Sequence, residues 1–261
     1  MDNLNLPTET FITTMPTLVV SHVDLPTSRG PMRAHLFTPT GKGQFPAIIF
    51  YSEIFQATGP IRRMAAALAG EGFVVAVPEV YHEFEEPGTV LAYDQEGSDR
   101  GNALKYAKEL ASYDEDVDAM VSHLKSLKSC TGKIASFGVC LGGHLALRAA
   151  YHEGVSAAGC FYPTDLHTAN LGKGQSDDTL ARVSELKTPL LLVFGRQDPH
   201  VPQEGRDQIR QALIDADAHY EWHEFNAAHA FLRDEGPRYN PALARVCQSL
   251  LLRFLTEHLN N

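Results

Sequence analysis

A cysteine, Cys140, stands among glycines in the stretch Gly138-Val139-Cys140-Leu141-Gly142-Gly143. A short apolar run, 134–137, precedes it, and a helix-like stretch carrying Leu145, Leu147, Ala149 and Ala150 follows. A tight strand-to-helix turn that presents one nucleophile strains the backbone and leaves no room for side chains two residues to either side. Such a turn sets the sulfur at a helix N-terminus, where unpaired N–H groups and the helix dipole favour a thiolate and a developing oxyanion. The chemistry this suggests is thiolate attack on a carbonyl. The alternative is a free cysteine packed into a strand–helix junction, a common fate for that residue.

A thiolate nucleophile needs a base, and the base needs an orienting acid. Asp198 follows the apolar run 189–194 (PLLLVF), and His229 lies between the alternating run 219–225 and the last amphipathic stretch. Nucleophile, acid and histidine in that order, each just past an expected strand, is the arrangement of the α/β-hydrolase fold. Each has rivals. Asp198 could instead cap the following helix or open a turn with Pro199. Asp165 also follows a strand, and His200 sits in the acid loop itself. His144 lies one helical turn past Cys140 and is expected to pack at the helix start rather than over the sulfur.

These residues need a sheet to carry them. Runs 17–23 and 32–39 read as an antiparallel hairpin separated by the turn-rich DLPTSRGP. Runs 46–51, 73–77, 156–162 and 189–194 are continuous apolar strands, as expected where both faces are buried. Stretches 61–69, 102–110, 115–127, 203–216 and 241–259 read as helices, the last with Leu243, Val246, Cys247, Leu250, Leu251, Phe254 and Leu255 on one face. The expected architecture is α/β: a mostly parallel, twisted sheet with helices on both faces and an N-terminal hairpin. Residues 1–16 read as a lead-in and 17–261 as one domain without a large cap. The irregular, aromatic and acidic stretch 79–99 follows the C-terminal end of a strand, where open α/β sheets place ligands.

The chain has 261 residues and a formal net charge of -10, which argues against nucleic acid or an anionic membrane as a partner. No apolar run is long enough to span a bilayer. The first residues have no positive region and no apolar core, so they do not read as a secretory signal. The four cysteines are scattered, with no metal-ligand spacing, and a working thiol suits a reduced, cytoplasmic setting. No metal and no organic cofactor is expected. A small molecule is the expected partner, and a monomer or small homo-oligomer the expected state.

The residues Ser52-Glu53-Ile54-Phe55, Pro78-Glu79-Val80-Tyr81, the Cys140 turn, Gly195-Arg196-Gln197-Asp198-Pro199-His200-Val201-Pro202 and His229-Ala230-Phe231-Leu232-Arg233 resemble the dienelactone hydrolase family over nearly the whole chain. The resemblance implies a Cys140–His229–Asp198 triad that opens a small lactone or ester through a thioester. It implies that Glu53 hydrogen-bonds the resting thiol and helps form the thiolate. On its residues alone, Glu53 is a lone acid after an apolar strand, and an ion pair with an arginine is an equal reading. The oxyanion donors expected from the fold are the backbone N–H groups of Leu141 and Ile54. Family members hold a substrate carboxylate with arginines. Arg233 matches one such position and Arg100 falls near another, where a surface arginine is the alternative; Tyr81 is a third substrate-binding candidate. Tyr81-His82-Glu83 and the acids after it are expected to make the pocket mouth negative, against an anionic substrate. Two other readings keep the fold: a redox-reactive thiol that binds or senses, and a peptidase or acyltransferase, which would often carry an extra cap or domain.

Overall fold

The computed structural model describes residues 18–259. The lead-in expected at 1–16 lies outside the described residues. Eight strands form one sheet in the order β1-β2-β4-β3-β5-β6-β7-β8. The hairpin β1 (Leu18–Thr27) and β2 (Gly30–Pro39) is antiparallel, and β2 meets β4 (Val74–Pro78) antiparallel. β4, β3 (Phe45–Tyr51), β5 (Cys130–Val139), β6 (Ala157–Phe161), β7 (Leu190–Gly195) and β8 (Tyr220–Phe225) are mutually parallel. The helices are α1 (Gly59–Gly70), α2 (Gln95–Ala107), α3 (Leu110–Ser126), α4 (Leu141–Ala149), α5 (Gln203–Asp215) and α6 (Pro241–Leu259). None of the described helices is long and apolar enough to cross a membrane.

The hairpin is longer than its prolines suggest. Pro26 pairs with Pro31, so strand continues through residues expected to turn. β2 pairs with β4 only over Ala34–Phe37, so Pro31 lies where β2 has a single neighbour and its missing N–H is tolerated. α2 starts seven residues before the expected 102. Its sequence, QEGSDRGNALKYA, carries no apolar stripe and two glycines, which masks it from a periodicity reading. The Asp94 side chain caps it by accepting the Gly97 N–H at 2.8 Å. Gly101 is required by contact: a Cβ there would stand 2.6 Å from the Ile54 carbonyl oxygen.

The ends of β3, β5 and β6 converge on Cys140. Its backbone has φ 60° and ψ −125°, a strained conformation for a residue with a side chain. A Cβ on Gly138 would lie 1.9 Å from the Gly142 carbonyl oxygen, and one on Gly142 would lie 2.1 Å from that of Tyr51. The glycines therefore answer to the closeness of the backbone to itself. Gly138→Ala should lower stability by at least about 1–3 kcal/mol or prevent folding. Gly70→Ala is the control, since a Cβ there meets nothing within 4 Å. Equal urea midpoints for the two variants would refute this account of the turn.

Candidate active site

Backbone bonds fix the Cys140 turn. The Cys140 N–H donates to the Phe161 carbonyl at 3.0 Å, and its own carbonyl accepts from Gly143 at 3.0 Å and from Thr164 at 3.3 Å. Among the described residues, the N–H groups of Leu141 and Ile54 have no acceptor, and Ile54 lines the same cavity as Cys140.

Gly195, ending β7, lets the acid loop approach the loop after β8. A Cβ there would lie 2.4 Å from the Ala227 oxygen, and Gln197 N–H donates to that same oxygen at 2.9 Å. The approach brings Asp198 Oδ2 to 2.6 Å from His229 Nδ1, while Asp198 Oδ1 accepts the His200 N–H at 2.8 Å. His229 and Cys140 line the same cavity, close enough for the two side chains to influence each other's charge. Burial works against a charged His229, but its closeness to Cys140 and its bond to Asp198 prevail and hold the ring at about 10. Burial likewise pushes Asp198 up, and the hydrogen bond and charge of His229 hold it below the ordinary carboxylate range.

The rivals are engaged elsewhere. Asp165 takes a hydrogen bond from Lys105 Nζ at 2.7 Å. His144 lies at the helix start, as expected, with Nδ1 2.9 Å from the Thr164 carbonyl. His200 stays beside His229, with ring centroids 4.6 Å apart.

A cavity of about 310 Å³ opens on this cluster. Cys140, His229, Glu53, Ile54, Arg233 and Arg238 line it, and α2 contributes Gln95, Ser98, Asn102 and Lys105 from one face. Glu53 is buried. Its Oε2 accepts from Tyr93 Oη at 2.9 Å, and its Oε1 lies 3.6 Å from an Arg233 amine. Burial dominates and pushes the Glu53 carboxyl up, against the opposing pull of Arg233, Tyr93 and His229. Tyr93 rather than the thiol is thus the hydrogen-bond partner of Glu53. Arg233 stacks on the Tyr93 ring, 4.1 Å from its centroid.

Two expected substrate-binding residues do not line the cavity. Tyr81 is fully buried and donates to the Gly101 carbonyl at 3.1 Å, pinning α2. Arg100, half exposed, pairs with Glu85 at 2.6 Å. The negative mouth expected from the acidic run is also absent from the lining. Glu83 turns to Lys108 at 2.8 Å and to Ser112, and Glu85 to Arg100. Their charges are spent on binding the 79–94 segment to α2 and α3. The cavity instead gathers Arg233, Arg238 and Lys105, and Arg238 has no hydrogen bond or ion pair among the described residues. The sequence reading missed Tyr93, Lys105 and Arg238. A polar stripe at helical spacing, Gln95-Ser98-Asn102-Lys105, was the available signal for α2. Among the described residues, no cluster of three or more histidines, cysteines or acids could hold a metal ion.

The model of the dienelactone hydrolase family matches residues 32–259. A Saccharomyces cerevisiae protein provisionally named a carboxymethylenebutenolidase is 44% identical over 249 residues, covering 91% of this chain and 89% of its own. A carboxymethylenebutenolidase of Pseudomonas sp. is 28% identical, covering 87% of this chain and 90% of its own. The crystal structure of a provisionally assigned dienelactone hydrolase from Klebsiella pneumoniae superposes with a TM-score of 0.79 at 23% identity, over 92% of this chain and 99% of that one. A Pyrococcus horikoshii acylaminoacyl peptidase shares the fold, with a TM-score of 0.67 at 14% identity. This chain spans 93% of itself in that match but only 42% of the peptidase. The sheet order, the Cys140 turn and the match along most of the chain agree: this protein belongs to the dienelactone hydrolase family and is a hydrolase.

Proposed function

We propose that the protein hydrolyses a small lactone or carboxylic ester that carries a carboxylate, through a covalent thioester on Cys140. The observation that carries this reading is the Asp198–His229 pair, with His229 and Cys140 lining one cavity that holds three cationic side chains. The relatives named above as carboxymethylenebutenolidases have a name that describes a butenolide lactone bearing a carboxymethylene arm, which is a substrate of this kind.

The thiolate of Cys140 attacks the carbonyl carbon. The N–H groups of Leu141 and Ile54 receive the oxyanion. The His229 imidazolium gives its proton to the departing alkoxide, which in a lactone stays on the same molecule. Neutral His229 then takes a proton from water as that water attacks the thioester, and the acid leaves with the thiolate restored. Asp198 orients the ring and balances its charge. Arg233 and Arg238 bind the substrate carboxylate, for which the guanidinium fork is suited. An anion that binds Arg233 competes with Glu53 for it, so substrate binding changes the field at Glu53 beside the thiol. Cleavage in the cytoplasm, without metal or cofactor, by a monomer or small homo-oligomer, completes the proposal.

Cys140→Ala should abolish turnover of an acidic lactone while the urea midpoint stays near wild type. Alanine at His229 and at Asp198 should each cost several orders of magnitude in kcat, with the double variant scarcely worse than the worse single. Multiplicative losses would make Asp198 structural. Labelling of Cys140 by iodoacetamide without any esterase turnover would favour the sensing alternative.

Arg233→Ala and Arg238→Ala should each raise KM for an acidic lactone about tenfold or more, since a charge-assisted contact is worth roughly 1.5–3 kcal/mol. A neutral ester of similar size should hardly notice either change. Equal losses on both substrates would reject the carboxylate clamp.

Nitrogen NMR should find the His229 ring protonated through neutral pH and losing its proton only near 10. In Cys140→Ala the ring loses the negative partner that favours its charged form, so the transition should move to lower pH. An unmoved transition would show that the sulfur does not set the charge of the ring.

A further inference from the structure

His144 takes no part in the chemistry just described, yet it is fully buried next to it on α4. Its Nδ1 is 2.9 Å from the Thr164 carbonyl oxygen, and its Nε2 is 3.0 Å from Oδ2 of the buried Asp177. The Thr164 carbonyl can only accept, so the ring donates to it through Nδ1, while Nε2 and Asp177 Oδ2 face each other without hydrogen-bond geometry. Asp177 also accepts from Thr179 Oγ1 at 2.6 Å and from an Arg148 amine at 3.2 Å. Burial pushes the Asp177 carboxyl up, but His144, Thr179 and Arg148 together hold it below its ordinary range. Burying such a pair carries a desolvation cost that an apolar pair would not.

What the pair grips is Thr164. The Thr164 N–H donates to the Cys140 carbonyl and its carbonyl accepts from His144, so the first turn of α4 holds both of its backbone polar groups. The residues around it are strained: Tyr162 has φ 39° and Asp165 has φ 63°, each costing about 1–3 kcal/mol unless the surroundings enforce it. Both touch the site. The Tyr162 ring lies edge-on to His229 with centroids 5.1 Å apart, and Asp165 fixes Lys105 at 2.7 Å in the cavity wall.

We infer that His144, set by Asp177, is a positioning residue: by clamping Thr164 it holds the Tyr162–Asp165 segment so that His229 stays aligned on Cys140. The inference rests on the Cys140–His229–Asp198 reading. It differs from a packing role in requiring the hydrogen bond rather than the volume of the side chain.

The test uses three variants of the whole chain. His144→Phe keeps bulk and loses the donor to Thr164, His144→Gln keeps a donor for Thr164, and Asp177→Asn keeps shape and loses charge. For each, the rate of Cys140 alkylation by iodoacetamide is followed from pH 6 to 9, alongside kcat and KM for an acidic lactone and the urea midpoint. Alkylation needs no substrate, so it reads the Cys140–His229 pair even if the lactone assignment fails. In His144→Phe, alkylation at neutral pH and kcat should fall about ten- to a hundredfold, the scale of a small misplacement, with KM changed less. His144→Gln should recover most of that loss, and Asp177→Asn should fall between. If His144→Phe does not fold, the Gln and Asn variants still decide by the same readouts. Variants that lose stability but alkylate and turn over like wild type, or a Gln variant no better than Phe, would overturn the inference. A wild type that alkylates in a His229-dependent way but opens no lactone would reject the substrate reading alone.

Discussion

Everything at this site depends on how closely one stretch of backbone passes another. A Cβ on Gly138 would strike the Gly142 carbonyl, and one on Gly142 would strike the Tyr51 carbonyl at the end of β3. Between these close approaches Cys140 takes φ 60°. The strain is repaid by hydrogen bonds from the strand and loop next door, through Phe161 and Thr164. β3 enters by the Tyr51 carbonyl that lies beneath Gly142, which carries Glu53 and Ile54 to the sulfur. A single steric constraint thereby sets the relation of three strands and one helix.

Charge is the second organising force. The chain is acidic overall, yet its cavity collects arginine and lysine side chains. Glu83 and Glu85 neutralise Lys108 and Arg100 away from the cavity, and at the site Asp165 is matched to Lys105, Glu53 to Arg233 and Tyr93, and Asp198 to His229. Buried charges that found no such partner would be costly. Arg238, at the exposed rim, is the cation left over for an incoming anion.

The sequence made the scaffold legible because its strands are short, apolar and bounded by glycine or proline, and its turn at Cys140 has a strong pattern. Cys140, Asp198 and His229 could be placed by their order past successive strands; the structure pairs Asp198 with His229 and sets His229 and Cys140 in one cavity. The cavity wall was harder to read. α2 carries no apolar stripe and is held by scattered polar contacts, among them Tyr81 to Gly101, Arg100 to Glu85 and Lys105 to Asp165, which periodicity does not register. Tyr81, expected at the substrate, instead uses its hydroxyl to fix α2. Arg100 and the acids near it looked like opposing forces on a substrate, and they turned out to neutralise each other. Pairing among charges depends on distances that a linear order does not encode.

The way α2 is attached separates two inheritances. Its inner backbone is locked against Ile54 through Gly101, so the proposed oxyanion donor and the helix move as one piece. Its cavity face, Gln95, Ser98 and Asn102, makes no bond to the sheet and none to Cys140 or His229. Selection can therefore exchange those side chains and reshape what the cavity admits while the strained turn stays untouched. A scaffold built this way keeps its reaction and diversifies its diet.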